Sequence, residues 1–97
     1  MTTNFRCKAG ELDLIMLDQD CLVIVEVRYR VNNSYGGPLF SVSRAKQQRI
    51  CRATQFFLQC HKSMAGRPLR FDVLALCGPP DTVSIDWRKR AFDASSQ

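Results

Sequence analysis

Three charged side chains interrupt two short apolar segments near the start of the chain. Asp13 lies within the segment 12–17, and Glu26 and Arg28 lie within the segment 22–30. Aliphatic and β-branched residues dominate both segments, which predicts a strand for each. Two carboxylates brought close together repel one another and need a cation, a shared proton or a partner side chain. Mg²⁺ suits such a pair, because it often binds through one or two carboxylates together with water and substrate phosphates.

The turn between these strands decides whether the charges meet. With a polar turn centred between residues 19 and 20, residues whose numbers sum to 39 lie opposite one another. Asp13 then faces Glu26, and their Cβ atoms lie about 4.5–5.5 Å apart. Glu11 faces Arg28, and the alternation of side chains along a strand directs all four to the same face of the sheet. A slip of one residue would break this pairing.

A plainer interpretation of the same charges stays open. Glu26 and Arg28 can form an ion pair on a solvated sheet face, and such surface pairs contribute only about 0–1 kcal/mol. Leu22 and Ile24 precede them on the same face, however. That face begins apolar and turns charged towards its end, as a site at the rim of a core would.

A helix is predicted after the second strand. Residues 32–38 have the composition of a loop, and Ser41 or Ser43 can cap the helix that follows. Gly66 and Pro68 are expected to end it. Its apolar face is formed by residues at helical spacing, namely Ile50, Ala53, Thr54, Phe57, Leu58 and His61.

Two further strands complete the predicted domain. Residues 70–76 indicate a third strand, in which Asp72 faces away from the apolar side chains beside it. A turn at 77–81 leads to an edge strand, where apolar residues alternate over 83–87 and are expected to form one buried face. The order strand, strand, helix, strand, strand predicts a small α/β domain whose helix crosses over one face of the sheet.

The composition is that of one globular domain, spanning residues 1–97. Hydrophobic residues make up 45% and charged residues 24% of the chain. No apolar run approaches the roughly 20 residues of a membrane-spanning helix, and no secretory signal is present, which predicts a cytoplasmic protein with no membrane partner. The five cysteines include no C-x-x-C pair, so reduced thiols are expected. The net charge of +5 permits a polyanionic partner such as nucleic acid.

Seven short segments, spread over nearly the whole chain, carry a resemblance to a known family. They lie at 4–6 (NFR), 10–15 (GELDLI), 25–30 (VEVRYR), 35–36 (YG), 46–50 (KQQRI), 70–73 (RFDV) and 91–92 (AF). In this order and spacing they resemble the YraN-like family of small, largely uncharacterised bacterial proteins. The resemblance implies a restriction-endonuclease-like fold with a mixed β-sheet core, related to the archaeal Holliday junction resolvases and to the wider PD-(D/E)-x-K nucleases.

The resemblance also implies roles for particular residues. Asp13 matches the metal-binding aspartate and Glu26 the acidic residue of the (D/E)-x-K motif, with Mg²⁺ or Mn²⁺ as the cofactor, and Glu11 is a further candidate ligand. Arg28 stands at the lysine of the motif; arginine stays protonated and cannot act as a general base, but it can bind phosphate through two N–H groups. Lys46 is the one lysine placed to substitute, although a first-turn lysine more often lies in solvent.

The function implied is that of a metal-dependent nuclease acting on DNA rather than RNA, with branched DNA among the candidate substrates. Nucleic acid would be bound by Arg28, Arg30, Arg49 and Arg52. The alternatives are a non-catalytic nucleic-acid-binding module and a protein-interaction domain on the same fold. Family members carry a further N-terminal segment, with a helix that packs on the sheet, which is expected to be missing here. An apolar sheet face left uncovered in this way would favour a homodimer.

Overall fold

The fold of the chain is α/β, as predicted, with one helix and one mixed sheet. The structure, a computed structural model, describes residues 2–30 and 41–93. The elements are β1 (Thr2–Cys7), β2 (Gly10–Asp18), β3 (Cys21–Arg30), α1 (Arg44–Cys60), β4 (Leu69–Cys77) and β5 (Ser84–Phe92), with short 3₁₀ turns at Lys62–Met64 and Pro80–Thr82. The loop predicted at 32–38 lies outside the described residues.

The strands stand in the sheet in the order in which they occur along the chain, β1-β2-β3-β4-β5. Strands β3 and β4 are parallel, and every other neighbouring pair is antiparallel. Parallel neighbours need a crossover connection, and α1 supplies it between β3 and β4. The prediction that the helix crosses one face of the sheet is therefore confirmed.

The predicted register of the β2–β3 hairpin is confirmed over its closed end. Leu17 pairs with Leu22 and Ile15 with Ile24, so that paired residues sum to 39 as expected. Gln19 has a φ of 57°, in the left-handed region that a two-residue hairpin turn requires. A single turn geometry thus fixes which side chains of β2 and β3 share a face.

The core lies between α1 and the face of the sheet that it covers. Its helical members are the apolar residues Ile50, Ala53 and Phe57, each at most 4% exposed. Seven buried residues complete this cluster, namely Leu12, Ile15, Leu22, Ile24, Val42, Phe71 and Val73. Because this cluster packs α1 against the sheet, it fixes the position of the first helical turn above β3.

The helix begins where the sequence predicts but ends earlier. Ser43 is the N-cap, and its hydroxyl accepts a hydrogen bond from the backbone N–H of Lys46. The helix ends at Cys60 rather than at Gly66 or Pro68, because the backbone of His61 leaves the helical region with φ −131°. The chain then forms the 3₁₀ turn before β4.

The structure differs from the expected strands in two respects. The mostly polar composition of Thr2–Cys7 does not predict a strand, but these residues form β1, which pairs with β2 and adds a fifth strand. The buried face expected for the edge strand is also absent, since Ile85 is 70% and Trp87 39% exposed. These side chains lie on the sheet face opposite α1, where none of the described elements packs over them.

Two findings bear on the environment of the protein. Among the described residues, α1 is too short and too polar to cross a membrane. All five cysteines carry free thiols, and burial raises the pKa of the Cys51 thiol.

Candidate metal centre

Glu26 is a buried carboxylate in the middle of the sheet. Its side chain is only 7% exposed, and it lies two residues beyond the core residue Ile24 on the same strand. Alternation along β3 therefore directs it to the face that α1 covers. Carboxylates are rarely buried without a partner, because the protein interior solvates a charge poorly.

Asp13 is held beside Glu26 by the backbone of the neighbouring strand. Its Oδ2 accepts a hydrogen bond of 3.0 Å from the backbone N–H of Val27. The backbone pairing of β2 with β3 ends at Leu14 and Val25. The next pair in the predicted register, Asp13 with Glu26, is therefore not formed by the backbone. The two carboxylates do meet, but through a side-chain contact with the strand rather than through regular pairing.

Lys46 brings a cation to the same point from the helix. Its Nζ forms an ion pair with Oε2 of Glu26. The lysine lies in the first turn of α1, and its backbone N–H is bound at 3.2 Å by the capping hydroxyl of Ser43. The alternative position considered for Lys46, with its side chain free in solvent, does not occur in the structure.

Burial dominates the electrostatics of Glu26. Its removal from water raises the pKa of the carboxyl above the ordinary value of 4.5, and the neighbouring Asp13 carboxylate raises it further. The ion pair with Lys46 acts in the opposite direction, but the pKa stays raised. The site thus carries two close carboxylates and one ammonium in a poorly solvated place.

Glu11 borders the same small hollow as Asp13 and Glu26, but its carboxylate binds elsewhere, although alternation predicts that it shares their face. Leu12 and Ile15 both belong to the core beneath α1, so the period-two alternation is interrupted between them, at Asp13. Glu11 therefore points to the other face. There its Oε1 accepts a hydrogen bond of 2.9 Å from Nε of Arg6 on β1.

The predicted nucleic-acid-binding residues occupy two surfaces. Arg28 and Arg30 follow Glu26 along β3 at alternate positions, and Arg28 is half-buried next to Ala75 of β4. Arg49 and Arg52 are exposed on α1. The structure therefore brings Asp13 and Lys46 each beside Glu26, places Arg28 on the face of Glu26, and leaves the helical arginines on the outer surface.

The donor set fits a hard divalent cation that keeps several waters. Two carboxylates are the ligands that Mg²⁺ commonly takes from a protein, with water and substrate phosphate completing an octahedron. Within the described ranges, no group of three or more His, Cys, Asp or Glu side chains stands ready to enclose a metal. The arrangement suits Mg²⁺ or Mn²⁺ and is unlike a structural zinc site, which uses four protein ligands.

A second buried carboxylate, Asp72, lies on the opposite face of the sheet and belongs to a different cluster. It is fully buried and accepts hydrogen bonds from Arg70, from Trp87 Nε1 at 2.8 Å and from the backbone N–H of Arg90 at 3.0 Å. Burial raises its pKa, but these donors outweigh burial and hold the pKa below the ordinary value. The sequence indicated that Asp72 faces away from its apolar neighbours but not its donors, of which Arg70 lies on β4 and Trp87 and Arg90 lie on β5.

A mixed five-stranded sheet with one crossover helix, and an acidic pair with a buried glutamate under the start of that helix, defines an α/β domain compatible with the restriction-endonuclease-like fold. The chain belongs to the uncharacterised protein family UPF0102, the YraN family, whose sequence profile matches residues 1–76. The predicted resemblance is therefore confirmed.

Individual relatives support the same assignment. The chain is 47% identical over 91 residues to a UPF0102 protein of Stutzerimonas stutzeri (strain A1501), covering 94% of this chain and 76% of the relative. It is 48% identical over 92 residues to a UPF0102 protein of Pseudomonas syringae pv. syringae (strain B728a), covering 94% and 75%. A UPF0102 protein of Pseudomonas entomophila (strain L48) is 47% identical over 94 residues, covering 96% and 76%.

Proposed function

We propose that this protein is a metal-dependent nuclease that hydrolyses phosphodiester bonds in DNA. The proposal depends on one observation. Asp13 lies next to the buried carboxylate of Glu26, and Lys46 of α1 forms an ion pair with Glu26. A fold alone does not imply a function, so the argument depends on this site. Two adjacent carboxylates repel one another, and a divalent cation held by both removes that repulsion.

Each residue of the site has a distinct task in this proposal. Asp13 and Glu26 hold the cation, and the hydrogen bond from Val27 fixes the direction in which Asp13 presents its oxygens. The bound metal supplies an activated water and neutralises charge on the phosphodiester. Arg28 binds the phosphate next to the reacting bond, a task in which permanent protonation is an advantage.

Charge supports a nucleic acid as the substrate, and the resemblance to DNA nucleases favours DNA. The chain carries 14 basic and 9 acidic residues, and α1 carries exposed arginines. Basic surfaces of this kind contact the phosphate backbone without reading its sequence. We expect the protein to act in the cytoplasm, and branched DNA is the first structure to compare with simple duplex.

A cleavage assay tests this function. Labelled duplex, single-stranded and four-way-junction DNA are incubated with protein in Mn²⁺, Mg²⁺ or EDTA, and the products are separated on a denaturing gel. Cutting is expected with metal, is expected to disappear in EDTA, and is expected to fall at least a hundredfold in Glu26→Gln. The control is Asp20→Asn, which removes a carboxylate that is 95% exposed in a turn. Metal-dependent cutting that persists in Glu26→Gln would assign the activity to a contaminant and refute the proposal.

One observation favours a second candidate, a nucleic-acid-binding module without turnover. Arg28 replaces the lysine of the nuclease motif, and a guanidinium cannot transfer a proton at neutral pH. Under this candidate DNA binding depends on salt but is unchanged by EDTA and by Glu26→Gln. If the protein binds the three DNA substrates but cuts none of them, this second candidate is supported.

A further inference from the structure

We propose that Lys46 is a displaceable counter-cation, which neutralises Glu26 in the absence of metal and leaves that carboxylate when a divalent cation binds. The inference rests on the metal site of the proposed function and adds to it the movement of a side chain that loading requires. It concerns the order of events at the site, and it can be tested without any cleavage.

The need for a counter-cation follows from burial. Glu26 is 7% exposed, and an ionised carboxylate at that depth requires a partner or a proton. Lys46 is the partner that the structure provides. Asp13 lies next to this pair, so the one ammonium of Lys46 serves a site with two carboxyl groups. Metal binding therefore starts from an occupied carboxylate.

The two cations would compete for the same carboxylate. While Lys46 contacts Glu26, the hollow beside Asp13, Glu26 and Ile50 holds no space for a water molecule. A magnesium ion would enter with several of its waters, because it dehydrates reluctantly. An ammonium and a divalent cation on the same carboxylate would also repel each other strongly in a poorly solvated place. One of them must leave.

Lys46 is free to leave while its backbone stays in place. Its side chain is 43% exposed, so the ammonium can turn out into water on its flexible four-carbon stem. Its backbone remains in the first helical turn, tied by the hydrogen bond to Ser43. The displaced ammonium stays at the entrance of the site, where an approaching phosphodiester would meet it. Metal loading would thereby make a cation available to the substrate.

Metal affinity measured on variants is the first test. Mn²⁺ binding is followed by the EPR signal of the free ion for wild type, Lys46→Met and the control Lys62→Met, an exposed lysine beyond the other end of α1. Lys46→Met is expected to bind Mn²⁺ about tenfold more tightly, because no ammonium has to be displaced, and Lys62→Met is expected to match wild type. In EDTA, Lys46→Met is expected to melt below wild type, and saturating Mn²⁺ is expected to close that gap. Unchanged or weaker Mn²⁺ affinity in Lys46→Met would overturn the proposal.

A measurement on the wild-type chain covers the case in which Lys46→Met does not fold. The ε-methylene signals of lysine are recorded by NMR during a titration with Mg²⁺, with Glu26→Gln as the reference. The Lys46 signal is expected to move towards the position of a solvent-exposed lysine in wild type and to be unaffected by Mg²⁺ in Glu26→Gln. If Mg²⁺ shifts the signals of Asp13 and Glu26 but not that of Lys46, the displacement of Lys46 is refuted and the metal site is supported. No response from any of these residues would refute both.

Discussion

At the scale of single residues, Glu26 shows a conflict between stability and chemistry. A glutamine at this position would keep the shape of the side chain and remove the charge that burial penalises. The raised pKa of the Glu26 carboxyl expresses that penalty, which Lys46 reduces but does not cancel. Residues that lower the stability of the folded state in this way are concentrated at functional sites.

Glu26→Gln is expected to stabilise the protein in a pH-dependent manner. Because the folded-state pKa lies above the ordinary value of 4.5, the folded chain binds this proton more tightly than the unfolded chain. The wild type therefore loses stability as pH rises through the raised pKa. In thermal melts by circular dichroism, Glu26→Gln should melt a few degrees higher than wild type at pH 8, and the difference should vanish at pH 4. Glu11→Gln, which alters an exposed partner of Arg6, should show no such gain. A lower melting temperature for Glu26→Gln at pH 8 would show that the ion pair outweighs burial.

Asp72 shows the opposite case, a buried carboxylate whose donors more than compensate for burial. Replacing it with alanine removes the acceptor of the indole N–H of Trp87 and of a backbone N–H, and leaves Arg70 with Asp18 alone. Removing one partner from a buried ion pair costs about 3–5 kcal/mol, a large share of the stability of a small domain. Urea unfolding of Asp72→Ala should show a loss of this size. Asp20→Asn, at a site 95% exposed, should change the free energy of unfolding by less than about 0.5 kcal/mol.

Asp72 should also contribute to the acid limb of the stability curve. Its pKa is lowered in the folded state, so its contribution is present above the ordinary value of 3.8 and is lost as pH falls through the folded-state pKa. Glu26 and Asp72 thus have opposite effects on stability as the solution is acidified. A wild-type curve measured alongside each single variant separates the two contributions.

At the scale of elements, the start of α1 links helix stability to the site. The hydroxyl of Ser43 binds the backbone N–H of Lys46, the residue whose ammonium reaches Glu26. Ser43→Ala should lower the free energy of unfolding by about 1 kcal/mol, the usual effect of losing an N-cap. It should also weaken the hold on Lys46, which hydrogen exchange of the Lys46 amide would report as faster exchange. Ser63→Ala, an exposed serine in the 3₁₀ turn after α1, should leave both quantities unchanged.

The elements also show what the sequence could and could not reveal. The hairpin register followed from one two-residue turn, and it correctly brought Asp13 near Glu26. Alternation then failed for Glu11, because the facing of side chains along β2 changes at Asp13, whose carboxylate bonds to the Val27 backbone. Such an irregularity depends on a hydrogen bond from one strand to a side chain of another. The alternation of apolar and polar residues in the sequence does not reveal bonds of this kind.

Long-range contacts explain the remaining differences. The residues of β1 include too few apolar side chains to predict a strand. They form one because their backbone pairs with the edge of β2. The sequence places Lys46 on the inner side of α1 but does not show whether its ammonium contacts Glu26 or solvent. The ammonium contacts Glu26 because that carboxylate is buried and needs a partner. Homodimer formation through an uncovered apolar face of the sheet remains a prediction.

At the scale of the whole molecule, the net charge of +5 should govern binding to DNA. Affinity for a short duplex, measured by fluorescence anisotropy in EDTA, should fall steeply as salt rises, because each phosphate contact releases counterions. The double variant Arg49→Ala/Arg52→Ala should reduce the slope of log K against log [salt] by about 1–2. Lys62→Ala should leave the slope unchanged. An identical slope for the double variant and wild type would place the DNA on another surface.

The central claim is that Asp13 and Glu26 form a site for a divalent cation, and crystals soaked in MnCl₂ test it most directly. Anomalous scattering locates manganese without reference to the structure described above. The account predicts one strong peak within coordination distance of the carboxylates of Asp13 and Glu26, with Lys46 turned away from Glu26. The contradicting result is an intact ion pair between Lys46 and Glu26 with no manganese peak beside either carboxylate.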